Sequence, residues 1–117
     1  MITVTIVRDP DGRIERYTVS GHALYDEPGK DIVCAGVSAV AIGAVNAVER
    51  LTGLRPDAEM RDGWLSVSMP REGDAERHAR AQLLLEGMLV ALESIAEAYG
   101  EHVQIKQHPS RNRAEGG

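Results

Sequence analysis

The chain has 117 residues, 43% of them hydrophobic, which suits one compact domain with a sizeable core. Its formal charge of −5 argues against a nucleic-acid backbone as a direct partner, because that demands a basic surface. The single cysteine cannot close an internal disulfide, so cysteine usage gives no sign of an oxidising compartment.

Met1-Ile2-Thr3-Val4 lacks a basic region followed by an apolar core, so no signal peptide is expected and the protein is read as cytoplasmic. From Ile2 to Arg8, Ile2, Val4 and Ile6 alternate with Thr3 and Thr5, the period of a half-buried strand. Asp9-Pro10-Asp11-Gly12 is turn chemistry, with proline presetting φ and glycine accepting a positive one. Arg13 to Ser20 returns as a second strand and delivers Gly21-His22. Glycine at 21 lets the backbone turn sharply or approach a ligand closely, although a plain loop glycine is the commoner case. Ala23 to Lys30 forms a connection expected to be mobile. Leu24 and Tyr25 are candidates to grip an apolar peptide side chain there, although most such loops are only connectors.

The first helix is predicted from Ile32 to about Thr52, with Gly53 as its stop. Val33, Val37, Val40, Ala44, Val48 and Leu51 line one face, and its other faces are mostly small residues, so it reads as surrounded rather than amphipathic. A neighbouring sheet or a twin helix in a homodimer would cover it. Its uncharged stretch from Ile32 to Val48 falls short of the roughly 20 residues that cross a bilayer, so a membrane partner is not expected. A second hairpin follows from about Asp57 to Met69, turning at Arg61-Asp62-Gly63. Leu65, Val67 and Met69 share one face, and Trp64, on the other, reads as structural. The second helix is predicted from about Asp74 to Tyr99, with a core stripe of Ala81, Leu85, Met88, Leu92, Ile95 and Tyr99. His102 to Lys106 reads as a last short strand, which makes residues 1–106 the domain and 107–117 a polar, disordered tail. The order is ββαββαβ, an α+β layering in which a mostly antiparallel sheet packs against two long helices.

The chemistry concentrates between Gly21 and Ser38. Asp31 is a good N-cap residue, and it would place Cys34 in the first helical turn, where unpaired N–H groups and the macrodipole favour negative charge. A thiolate there is a nucleophile, and His22 could take its proton if the connection folds back. The plainer readings are a buried core cysteine and a solvated histidine at a strand end. Ser38, one turn beyond Cys34, either hydrogen-bonds near the thiol or bonds back to the Cys34 carbonyl. Asp31 either only caps the helix or also orients the imidazole of His22.

Gly21-His22-Ala23, a short acidic loop, and then Gly29-x-Asp31-Ile32-Val33-Cys34-Ala35-x-Val37-Ser38 resemble the signature of the ribosomal-processing cysteine protease family (Prp). One departure is Gly36, where the family pattern suggests alanine. The resemblance implies a small homodimeric α+β protein. It also implies removal of a short N-terminal extension from the twenty-seventh large-subunit ribosomal protein, with His22 as base and Cys34 as nucleophile. The substrate partner is then that N-terminal peptide. Helix-start amides would be candidates for an oxyanion hole. The competing reading is a non-catalytic ribosome-associated binding module. The four histidines and one cysteine make no metal-binding spacing, and no phosphate-binding glycine loop is present, so no cofactor is expected.

Overall fold

The computed structural model describes residues 1–27 and 31–110. Its elements are β1 (Ile2–Arg8), β2 (Ile14–Gly21), α1 (Ile32–Thr52), β3 (Asp57–Arg61), β4 (Trp64–Ser68), α2 (Ala75–Ala98) and β5 (Val103–Pro109), in the expected order. They build one five-stranded sheet in the order β3-β4-β2-β1-β5, antiparallel except where β5 lies parallel to β1.

Period-two alternation decides what the sheet buries. Ile2, Val4 and Ile6 of β1, Tyr17 of β2, Leu65 and Val67 of β4 and Val103 of β5 form one cluster with the inner faces of α1 and α2. The opposite face carries Thr3, Thr5, Thr18, Ser20, Ser66 and Ser68, all half-buried and polar, as expected for an antiparallel sheet covered on one side. Tyr17 sits deep in the core, and its hydroxyl donates to the Ala41 carbonyl at 2.9 Å, tying β2 to α1. Burial pushes that phenol well above its ordinary pKa.

The helices run close to the expected bounds, α1 over the predicted Ile32–Thr52 and α2 one residue inside about Asp74 to Tyr99 at each end. Asp31 and Asp74 cap the starts, and Gly53 closes α1 at φ 79°, its N–H bonded to the Glu49 carbonyl at 3.0 Å. The face of α1 is rotated from expectation at its end. Leu51 is 67% exposed, while Thr52 is buried, its hydroxyl donating to the Val48 carbonyl at 2.6 Å and accepting from the Leu54 N–H at 3.1 Å. On α2, Leu89 joins the buried stripe. The last strand is longer than predicted. Pairing with β1 carries it to Pro109, opposite Arg8, so residues 107–109 belong to the sheet rather than to a tail. Residues 111–117 lie outside the described part.

The register slips between Val7 and Arg8, so Arg8 pairs with Ile14. Arg8 reaches α2 from there and grips Glu86 in a two-pronged bond of 2.6 and 2.9 Å. Its hydrogen bonds hold the Glu86 carboxyl below the usual carboxylate range. Water screens the half-exposed pair, so Arg8→Ala is expected to lower stability by only about 1 kcal/mol at neutral pH. Because the pKa of Glu86 is depressed by folding, this contribution is full above the unfolded carboxylate range and fades as pH falls through the folded value. Urea denaturation of both proteins at pH 7 and again in acid checks this; the gap should close in acid.

Candidate active site

The sheet, the start of α1 and the turn between β3 and β4 enclose a cleft of about 230 Å³. Gly21, His22, Cys34 and Ser38 all line it. The base and nucleophile candidates, far apart in sequence, therefore share one hollow. A broader groove of about 1260 Å³ opens at the far end of the sheet, around Arg13, Arg16, Arg71 and His78. It holds no thiol, so the smaller cleft is the one with nucleophile chemistry. Among the described residues no three His, Cys, Asp or Glu side chains converge to hold a metal ion.

Backbone geometry fixes His22. Gly21 ends β2 at φ 92°, and its N–H donates to the Gly63 carbonyl at 2.8 Å. The Met1 nitrogen donates to the His22 carbonyl at 2.6 Å. The imidazole lies against Gly63, so close that a Cβ there would stand 2.8 Å from Nε2. The Asp62-Gly63 turn thus serves two ends: glycine accepts φ 68°, and its bare Cα leaves room for the ring.

Asp31 behaves as a clamp. Oδ1 accepts from the Val33 and Cys34 N–H groups at 3.0 Å each, and Oδ2 accepts from Tyr25 at 2.9 Å and Asp26 at 3.4 Å. Desolvation pushes this carboxyl up, but the backbone N–H groups of Cys34, Tyr25, Asp26 and Val33 outweigh it and hold it below the usual range. Among the described residues these backbone groups are its hydrogen-bond partners, as a helix cap requires, and none of the bonds reaches the imidazole of His22. The Val33 and Cys34 amides are occupied by this clamp, which removes them as the free oxyanion donors expected at the helix start.

Another donor faces the sulfur. The Ala23 N–H points at Cys34 Sγ at 3.2 Å. No hydrogen bond joins the His22 imidazole to Sγ among the described residues. Ser38 lines the cleft on the same side of α1, but bonds neither to the thiol nor back to the Cys34 carbonyl. At Gly36 a Cβ would meet only Ile95 Cδ1, at 3.7 Å, so the departure from alanine leaves the helix seat unchanged.

The connection after β2 is anchored at its start. Ala23 is 1% exposed, and its carbonyl accepts from Nδ1 of His102 at 2.9 Å. Leu24 takes a left-handed φ of 57° and is 77% exposed, and Tyr25 packs edge-on against Tyr99 and His102. Neither side chain lines the cleft. Pro28 to Lys30 lie outside the described residues. The wall opposite Cys34 comes instead from Met60, Arg61, Asp62 and Trp64, with the Arg61 guanidinium 4.6 Å over the indole. Trp64, read as structural from the sequence, thus also lines the cleft. The pairing of Ser20 with Trp64 across β2 and β4, with the Gly21 N–H on the Gly63 carbonyl, brings that wall beside His22.

Residues 1–104 match the sequence profile of the family described as cysteine protease Prp. The chain belongs to that family. Like the family, it is a cysteine protease, and the binding-module alternative gives way. It is 42% identical to the ribosomal processing cysteine protease Prp of Bacillus subtilis, over 90% of this chain and 96% of that one. It also resembles the crystal structure of an essential ribosomal processing protease Prp from S. aureus in complex with a covalently linked product peptide. That similarity has a TM-score of 0.82 at 40% identity, covering 92% of this chain and 99% of the other. A structure of the S. aureus protease with a substrate peptide aligns with a TM-score of 0.77 at 38% identity, over 92% and 99% of the two chains.

Proposed function

We propose that this chain is a ribosomal-processing endopeptidase that removes a short N-terminal extension from the twenty-seventh large-subunit ribosomal protein, in the cytoplasm. The observation that carries the reading is that the only cysteine of a Prp-family chain stands at a capped helix start, in one cleft with His22. The relatives named as ribosomal processing proteases support the substrate class.

Cys34 Sγ attacks the scissile carbonyl carbon, and its proton passes to His22. The tetrahedral intermediate collapses as the C–N bond breaks. His22 gives its proton to the departing amine, leaving the N-terminal fragment as a thioester on Cys34. Water, deprotonated by His22, hydrolyses that thioester and restores the thiol. The Ala23 N–H donates to the attacking sulfur at 3.2 Å. The acidic chain also attracts a basic ribosomal-protein terminus. Incubating the purified protein with a synthetic peptide covering that terminus from the same organism, followed by mass spectrometry, tests the substrate. Cutting at a single bond is the expected result, and an intact peptide would overturn the assignment.

The working unit is proposed to be a homodimer. Ile32 and Leu51 of α1 and Leu83 and Val90 of α2 stand 59–76% exposed, an apolar surface that a two-fold partner could cover. Sedimentation velocity at micromolar concentration should give a dimer of this 12.7 kDa chain. A monomer across that range would contradict it.

A further inference from the structure

His102 lies on the turn before β5, outside the Gly21–Ser38 signature and outside the residues lining the cleft. Its own N–H donates to the Tyr99 carbonyl at 2.8 Å, and its carbonyl accepts from the Ile2 N–H at 2.8 Å. The backbone of this residue is therefore fixed from both sides. Its half-buried ring sends Nδ1 to the Ala23 carbonyl at 2.9 Å. A carbonyl only accepts, so Nδ1 carries the hydrogen. The edge-on contact with Tyr25, at 5.3 Å between ring centroids, leaves the ring little freedom to turn.

Ala23 stands between two functional groups. Its N–H faces Cys34 Sγ, and the residue before it is His22. The peptide unit between His22 and Ala23 is a rigid plane, so the direction of that N–H is set by the backbone on either side. On one side the Met1 nitrogen holds the His22 carbonyl, and on the other His102 holds the Ala23 carbonyl. Without the second anchor, the neighbouring Leu24, strained at φ 57°, would be free to relax and rotate the unit. We propose that His102 is a positioning residue of the protease: by holding the Ala23 carbonyl it keeps the Ala23 N–H on the Cys34 sulfur and His22 facing the cleft.

The inference rests on the proposed function for its consequence and on the hydrogen-bond chain for its geometry. Asparagine can present an amide N–H where Nδ1 stands. Glutamine's amide reaches further, toward the place of Nε2, and alanine has no donor. His102→Ala and His102→Gln should therefore lower kcat for cleavage of the ribosomal-protein peptide at least tenfold, with KM within about threefold, because Ala23 serves the reacting sulfur more than peptide binding. Both should slow iodoacetamide alkylation of Cys34 at pH 7 severalfold. His102→Asn should recover most of both rates. Unchanged rates in His102→Ala would overturn the proposal, as would an Asn variant no better than the Gln variant, since the ring's packing would then be what matters. If His102→Ala fails to fold, the Asn–Gln contrast decides. A wild-type protein that leaves the peptide uncut defeats the proposed function, while the alkylation rates of the same variants still test the positioning.

Discussion

Cys34→Ala is expected to reduce peptide cleavage by about a thousandfold or more, since no other group in the chain can form the thioester. The fold should survive. Cys34 is only partly buried, α1 is already rich in small side chains, and the cap on Asp31 uses the backbone of residue 34 rather than its sulfur. The loss amounts to one N–H···S contact and a little apolar area, on the order of 1 kcal/mol. Cys34→Ser should be nearly as inactive, because a hydroxyl is the poorer nucleophile and no hydrogen bond links His22 to this position. Circular dichroism and a thermal melt alongside the cleavage assay separate lost chemistry from lost structure. Full activity in the alanine variant would end the cysteine-protease account of this site.

Gly21→Ala is expected to damage both fold and activity. The φ of 92° is one that L residues rarely adopt, costing roughly 1–3 kcal/mol. A Cβ would also run into the Met1 carbonyl oxygen, a backbone atom that can yield only if β1 and β2 part at their ends. Together these suggest a loss on the order of 3 kcal/mol, and a melting temperature lower by about 10 °C or more. Activity should fall further than stability accounts for, because the next residue is His22. Gly12→Ala is the matched control. It has a φ of 84° and open space around it, in a turn at the other end of the hairpin, so it carries the backbone penalty alone. It should melt a few degrees lower and cleave at the wild-type rate. Equal effects of the two substitutions on cleavage would show that Gly21 has no special part in placing the histidine.

What the sequence made legible was local. The cap on Asp31 and the stop at Gly53 are read from residues acting within a few positions, and α1 runs over the predicted Ile32–Thr52. The turn at Asp9 to Gly12 is equally self-contained: Asp9 Oδ1 accepts from Asp11 and Arg13 at 2.9 and 3.0 Å. What stayed hidden depends on pairing between distant segments. Gln107 and His108 look like tail residues until β1 lends them hydrogen bonds as its parallel neighbour. The turn at Gly63 is readable as a turn, but nothing near it in sequence says that it holds the ring of His22. His102 reads as the start of a strand and becomes part of the site's frame only through Ala23. Leu51 and Thr52 exchange roles because the threonine hydroxyl satisfies itself on α1's own backbone, and an apolar periodicity does not anticipate that.

Because Cys34 is the only cysteine, alkylation labels one atom of this protein without any mutation. Titrating the enzyme with iodoacetamide, while measuring the modified fraction by intact mass and the cleavage rate of the ribosomal-protein peptide, tests the central claim most directly. Activity should fall in proportion to the fraction carrying the label, reaching zero at one label per chain, and bound peptide should slow the labelling. Cleavage that persists in fully labelled protein would contradict the account.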